Sequence, residues 1–409
     1  MFKTIKLKAS ARLLIVALGS LSPVLSVQAA PTLAETIQAT VDRNPRVNLP
    51  AARMKLGQGY EKQAGSWLGN SPSASLLYKS DEIGSQLGYR EMEASLALPM
   101  WHPGQRKALQ AVSENIRAQA GNDERLLYWE VSSQVFEYAW TLKLAEQESS
   151  QAKTQWESAQ ALEEDIHKRM KAGELPRTDA LMAEQETASR HSKYEQAQLA
   201  EANARSAWKS YTGLDELPAD LLQLKAHEPV AVDQHPTLKN SELAVQTARA
   251  MSTSEQKKTK GNPLVTLYAK RDRGTETDPW DDSMGIQLSL PFSTGTHNAG
   301  QIAEAEMKVT EAEVQQAEVR RKLALVQEQS RQELDSTRKT LALAEEQNRI
   351  AQSRLGLTQR AFELGETGLF LLLQARNEAA QSASYLERSR VAYHQAISRY
   401  NLSLGVIPE

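Results

Sequence analysis

The side chains able to do chemistry are scattered. Seven histidines are spread along the chain with no two spaced three or four apart, and there is no cysteine. Helical metal sites need such pairs or thiolates, so neither a metal site nor a cofactor is expected. No phosphate loop, nucleophile elbow or paired-carboxylate motif stands in a suitable context, and no enzyme is expected. Basic residues alternate with acidic ones, which argues against a nucleic-acid groove. What remains is charge placed by pattern. Glu91 and Glu93 alternate with the apolar Met92, Ala94, Leu96 and Leu98. On a strand both carboxylates share the polar face, where a ring of them favours cations, although a merely solvated face has the same pattern. Gln287 likewise opposes Met284, Ile286, Leu288 and Leu290.

The elements that must hold these residues are long helices. Residues 298–364 run without a proline and are dominated by Ala, Glu, Gln, Arg, Leu and Lys. One helix of that length spans roughly 100 Å. Its apolar seam is Ile302, Ala305, Val309, Ala312, Val319, Leu323 and Val326, and after Ser330 it resumes at Leu334, Thr337, Leu341, Ala344, Ala351, Leu355, Thr358 and Phe362. A 3.5-residue period broken by one four-residue insertion predicts a coiled coil with a stutter.

The chain says this twice. Asn44-Pro45 recurs as His235-Pro236 and Ser71-Pro72 as Asn262-Pro263, both at an offset of 191. Leu98-Pro99 recurs as Leu290-Pro291, Gly173-Glu174 as Gly365-Glu366 and Gly213 as Gly405, at 192. The expected organisation is a first repeat over 30–213 (strands within 73–98, helical hairpin 105–211), a connector 214–236, and a second repeat over 237–409 (strands within 264–290, hairpin 298–402). The strands have one apolar face, and Tyr78, Tyr89, Trp101, Tyr268, Trp280 and Phe292 gather near their ends. That suits an outer-membrane barrel, and a soluble two-stranded ribbon alternates similarly. Four strands are too few to close a barrel, so two chains would supply eight strands or three would supply twelve.

Lys3, Lys6, Lys8 and Arg12 precede an apolar run and the small-residue site Val27-Gln28-Ala29, so residues 1–29 read as a secretory signal. Its removal takes the formal net charge from −3 to −7. Aromatics make up only 6 % of the chain and the mean hydropathy is −0.52. Such a composition suits thin helix-on-helix packing rather than one large core.

A duplicated strand pair, long helix, tip and return helix behind a signal resembles the TolC-type outer membrane efflux family. The strand-to-helix exits 98–106 and 290–295 and the tips 169–181 and 360–369 carry the resemblance. Residues 268–274 and the short chain look most like its cobalt–zinc–cadmium, heavy-metal branch. The resemblance implies a mainly α fold with a small β part. It also implies a homotrimer with a twelve-stranded outer-membrane barrel continuous with a twelve-helix periplasmic barrel. The partners it implies are outer-membrane lipid, a periplasmic adaptor protein and an inner-membrane pump of the RND type.

It further implies that Gly173, Glu174, Leu175, Gly365, Glu366, Thr367 and Leu369 dock the adaptor. Arg177, Thr178, Asp179 and Phe370 would sit at the periplasmic gate, with Phe370 and Leu371 replacing Thr178 and Asp179 in the second copy. Glu91, Glu93 and Gln287 would face the barrel lumen. The expected function is a passive exit duct, with heavy-metal cations as cargo. The alternatives are the same duct serving drugs, solvents or type I secretion, and a poreless periplasmic adaptor or coiled-coil protein.

Overall fold

The computed structural model describes residues 31–292 and 296–407. The signal segment 1–29 and the Ser293-Thr294-Gly295 exit lie outside the described residues. The elements in order are α1 (Leu33–Arg43), α2 (Leu49–Gly65), β1 (Ser73–Ser80), β2 (Arg90–Pro99), α3 (Gln105–Lys171), α4 (Arg177–Thr212), α5 (Pro236–Lys258), β3 (Leu264–Arg273), β4 (Asp281–Ser289), α6 (Ala299–Glu363) and α7 (Leu369–Ser403). Short 3-10 turns, Pro45–Asn48, Leu221–Gln223, Val232–Gln234 and Thr296–Asn298, fill the joints.

The rods are α3 and α6, of 67 and 65 residues. The shorter helices α2 and α4, of 17 and 36 residues, stack along α3, and α5 and α7 fill the space between α3 and α6. Every seam position named above on α6 is buried or half-buried within the single chain. Around Ser330 the covered positions step 326, 330, 334, 337, which is the four-residue insertion. The buried Ser330 hydroxyl donates to the Val326 carbonyl at 2.7 Å. Gln316 and Asn348 fill the polar gaps of the seam.

The four strands form one antiparallel sheet in the order β1-β2-β3-β4. In its register Lys79, Glu91, Asp272 and Asp281 lie side by side, as do Leu77, Glu93, Lys270 and Ser283. Residues directly opposite share a face. One face is therefore polar. The other holds Ala74, Leu76, Tyr78, Met92, Leu96, Leu98, Val265, Leu267, Met284, Ile286 and Leu288. Tyr268 departs from expectation: it is in the middle of β3, not at its end, and lies over Gly285, where a methyl group would overlap its ring.

The largest core sits at the waist. Leu33, Ile37 and Val41 of α1 pack with Val131, Val135, Phe136 and Trp140 of α3, Trp208 of α4, Leu221 of the connector and Leu402 of α7. Asp220 accepts from the Leu33 backbone at 2.8 Å, tying connector to N-terminal helix. The indole nitrogen of Trp208 is buried without a hydrogen-bond partner among the described residues. The duplication is visible here in its caps. Asn44 accepts from the Arg46 amide at 2.9 Å, and at the matching place His235 Nδ1 accepts from the Thr237 amide at 3.2 Å.

This substitution of His for Asn has a consequence. Burial pushes the His235 imidazole below its ordinary range, opposed by its contact with the Leu402 carbonyl. The neutral ring is the folded form, so its stability is full above the ordinary imidazole value of about 6.5 and falls as pH drops below it. His394, lowered by burial and by Arg390, acts in the same sense. His235→Asn, which restores the residue of the first repeat, is expected to flatten the fall in melting temperature between about pH 7.5 and about pH 5.5. An unchanged slope would exclude His235 as a source.

Candidate functional site: polar sheet face and helix tips

The polar sheet face is built by period-two alternation on all four strands. Its centre is Glu91, only 6 % exposed. Tyr89 donates its hydroxyl to Glu91, Lys79 Nζ approaches Glu91 Oε2 at 3.4 Å and Lys270 Nζ approaches Oε1 at 3.9 Å. Lys270 also pairs with Asp272 at 3.5 Å. Glu91 is thus on the expected face, but it is a paired carboxylate rather than an open one. Glu93, on the same face and half-buried, makes no ion pair among the described residues. Gln287 is directly opposite Thr266 on this face. Lys79, Lys270 and Asp272 went unread in the sequence because only the register brings them beside Glu91.

The tips are a matched pair of helix ends. Gly173 has φ +81 and Gly365 φ +78. The Gly173 amide donates to Met170 and the Glu174 amide to Arg169, at 3.0 and 2.9 Å. The Gly365 and Glu366 amides repeat this to Phe362 and Ala361, at 3.1 and 2.8 Å. This double bond closes a helix end through one left-handed residue, which is why both copies place Gly there. The two tips share one core of Leu162, Ile166, Ala180, Ala183, Phe362, Leu369 and Leu372. Arg169 joins them, pairing with Glu174 at 3.2 Å while its guanidinium lies 5.1 Å from the Phe362 ring centre.

Leu369 is therefore corrected as a docking residue: it is 1 % exposed and fills the tip core. Gly173, Glu174, Gly365 and Glu366 are exposed, and Leu175 and Thr367 are half-buried. Leu364, at 75 % exposure, is the large apolar side chain that the sequence reading passed over. It lay unmarked because the chain presents it as one more leucine of a helix end.

The model of the outer membrane efflux protein family matches residues 229–406, the second repeat with its lead-in. The match covers less than half of the chain, which resembles that family over this part. No curated protein matches it in sequence. Solved structures share its fold at low identity. CusC, a transmembrane channel, aligns with a TM-score of 0.74 over 92 % of this chain and 92 % of its own, at 14 % identity. The CmeC outer membrane channel of Campylobacter jejuni gives 0.72 over 98 % and 94 %, at 14 % identity. The open MtrE outer membrane channel of Neisseria gonorrhoeae gives 0.67 over 92 % and 89 %, at 14 % identity.

The shared fold is the one that these solved outer membrane channels adopt. Among the described residues of this chain no helix is long and apolar enough to cross a membrane. The gate candidates stand at the start of the return helices. Arg177, Thr178 and Phe370 are exposed, and Asp179 is half-buried in the first turn of α4. Neither Arg177 nor Asp179 forms an ion pair among the described residues.

The chain also has an apolar stripe that sequence reading did not separate from the seam. Leu343, Ile350, Leu357 and Leu364 follow one another at seven-residue steps on the open side of α6, all exposed. At the other edge of the chain, Leu49 and Leu56 repeat the step on α2.

Proposed function

We propose that three copies of this chain form the exit duct of a tripartite efflux system. The observation that carries the reading is the pair of free sheet edges. β1 and β4 each have one neighbour, and in lipid every unpaired backbone group costs several kcal/mol. Joining β4 of one copy to β1 of the next satisfies both edges, and three copies give twelve strands, within the range of closed barrels. The same joint sets the α6 stripe of one copy against α2 and α4 of the next. It supports twelve helical columns in the periplasm. Transport through such a duct is passive, and energy comes from an RND-type pump in the inner membrane.

The tips support docking of a periplasmic adaptor. Gly173, Glu174, Leu175, Gly365, Glu366 and Thr367 form the turn surface, with Leu364 and Phe370 as exposed apolar anchors. Arg177, Thr178, Asp179 and Phe370 ring the periplasmic mouth as its gate. Heavy-metal cations are the cargo this reading favours. On the polar sheet face two lysines stand against Glu91, Glu93, Asp272 and Asp281, leaving two negative charges per copy. A lumen of that sign attracts cations.

A deletion strain challenged with zinc, cadmium and cobalt tests the cargo: tolerance should fall and return with the intact gene. Unchanged tolerance, with lost tolerance to drugs, would give the duct to organic substrates. In the same strain Leu364→Ser with Phe370→Ser should fail to restore tolerance and should no longer capture the adaptor. Folding should be unaltered, since exposed positions cost within about ±0.5 kcal/mol. Full capture by this variant would remove the tips from the interface.

A further inference from the structure

The apolar face of the sheet ends, on the side away from the helices, in three arginines. Arg90 and Arg273 are directly opposite each other across β2 and β3, and Arg271 lies two residues along on the same face. Like charges in register across an antiparallel pair repel. Their counter-charges are unequal. Asp282 holds Arg271 through two parallel bonds, Nε to Oδ1 at 2.6 Å and Nη2 to Oδ2 at 2.8 Å. Arg90 reaches Glu82 only at 3.5 Å. Arg273 has no ion pair among the described residues. Its Nη1 donates to the Glu276 carbonyl at 3.4 Å, and its Nε is out of solvent with no hydrogen-bond partner among the described residues.

Two of the nearby loop carboxylates are occupied with their own turns. Asp81 accepts from Ser85 and from the Leu87 and Gly88 amides, and Asp278 accepts from the Thr275 amide at 2.8 Å. Trp280 stands at the cluster, its ring centre 5.0 Å from the Arg273 guanidinium and 5.8 Å from that of Arg271. Met92, Ala269 and Met284 begin the apolar band one step below.

We propose that Arg90, Arg271, Arg273 and Trp280 form a binding site for the phosphate of a lipid headgroup in the outer leaflet of the membrane. A phosphate between Arg90 and Arg273 supplies the charge that the register leaves uncompensated. Guanidinium forks match phosphate oxygens two at a time. The indole marks the depth, because tryptophan favours the boundary between acyl chains and headgroups. The acyl chains of such a lipid continue onto Met92, Met284 and Leu76. The site lies on the two central strands and is complete within one chain, so it does not depend on how copies join. It does rest on the sheet standing in the outer membrane with its apolar face to lipid.

The test is thermal unfolding of the detergent-solubilised full protein titrated with three probes: lipid A bearing both phosphates, lipid A stripped of phosphate, and inorganic phosphate. The phosphorylated lipid should raise the melting temperature, and the other two should not. Arg90→Gln with Arg273→Gln should weaken the response at least about tenfold. Equal responses to both lipids would reduce the site to apolar contact, and an equal response to inorganic phosphate would make it a free-anion site. Either result overturns the proposal, as does an undiminished response in the variant. The comparison of lipids uses the unaltered protein and stands even if the variant fails to fold. A sheet that does not face lipid would show separately, as protein that stays soluble without detergent.

Discussion

Replacing Ile286 with arginine is expected to prevent stable insertion, although Ile286 is 75 % exposed in the single chain. By the usual rule an exposed position tolerates a charge. In the proposed barrel the solvent at that position is hydrocarbon. Ile286 is opposite Leu267 in the middle of the apolar band, between Met284 and Leu288. An arginine at the midplane of a barrel's lipid face costs about 2–4 kcal/mol per chain, and a threefold assembly incurs that cost three times. Gln287→Arg, one residue on, points to the polar face and should change stability by less than about 1 kcal/mol. Denaturant titration of both variants folded into vesicles measures the difference. Equal stabilities would mean that the sheet is a soluble ribbon with two wet faces.

The second large effect is expected at the waist. Trp140 is 2 % exposed, and its indole nitrogen donates to the Ser398 hydroxyl at 3.0 Å, joining α3 to α7. Trp140→Ala removes this bond and leaves a cavity among Val135, Phe136 and Val391, costing about 3–5 kcal/mol. Trp67→Ala, at an exposed tryptophan beyond α2, should stay within about ±0.5 kcal/mol. Urea unfolding followed by helical circular dichroism compares them. A Trp140→Ala midpoint no lower than that of Trp67→Ala would show that the waist core does not hold the rods together. The expectation follows from the shape of the molecule: the rods are thin, and the largest buried side chains are concentrated where α1 and the connector wrap them.

How much of this was legible in the residues differs by element. The long helices could be read because Ala, Leu, Glu, Gln, Lys and Arg favour helix locally, and because punctuation repeats at 191 and 192. The tip glycines could be read because a helix end that turns on one left-handed residue admits little else. The strands could be read from period-two alternation. Leu369 could not be placed from sequence, because a leucine just past a turn serves equally as an anchor for a partner or as filling for the tip core. Nor could the state of Glu91, since its neutralising lysines are 12 residues before it and 179 residues after it in the chain.

By itself, then, the sequence determined what depends on near neighbours: the helices, the strands, their two faces, the caps and the duplication. Only the tertiary structure decided which side chains meet across elements. It paired Glu91 with Lys79 and Lys270, closed the tip core over Leu369, and set Arg90 opposite Arg273. It also left the stripe from Leu343 to Leu364 open beside a covered seam. Helix and strand periods select a face, but register and packing, which come from chain segments far apart, choose what that face touches.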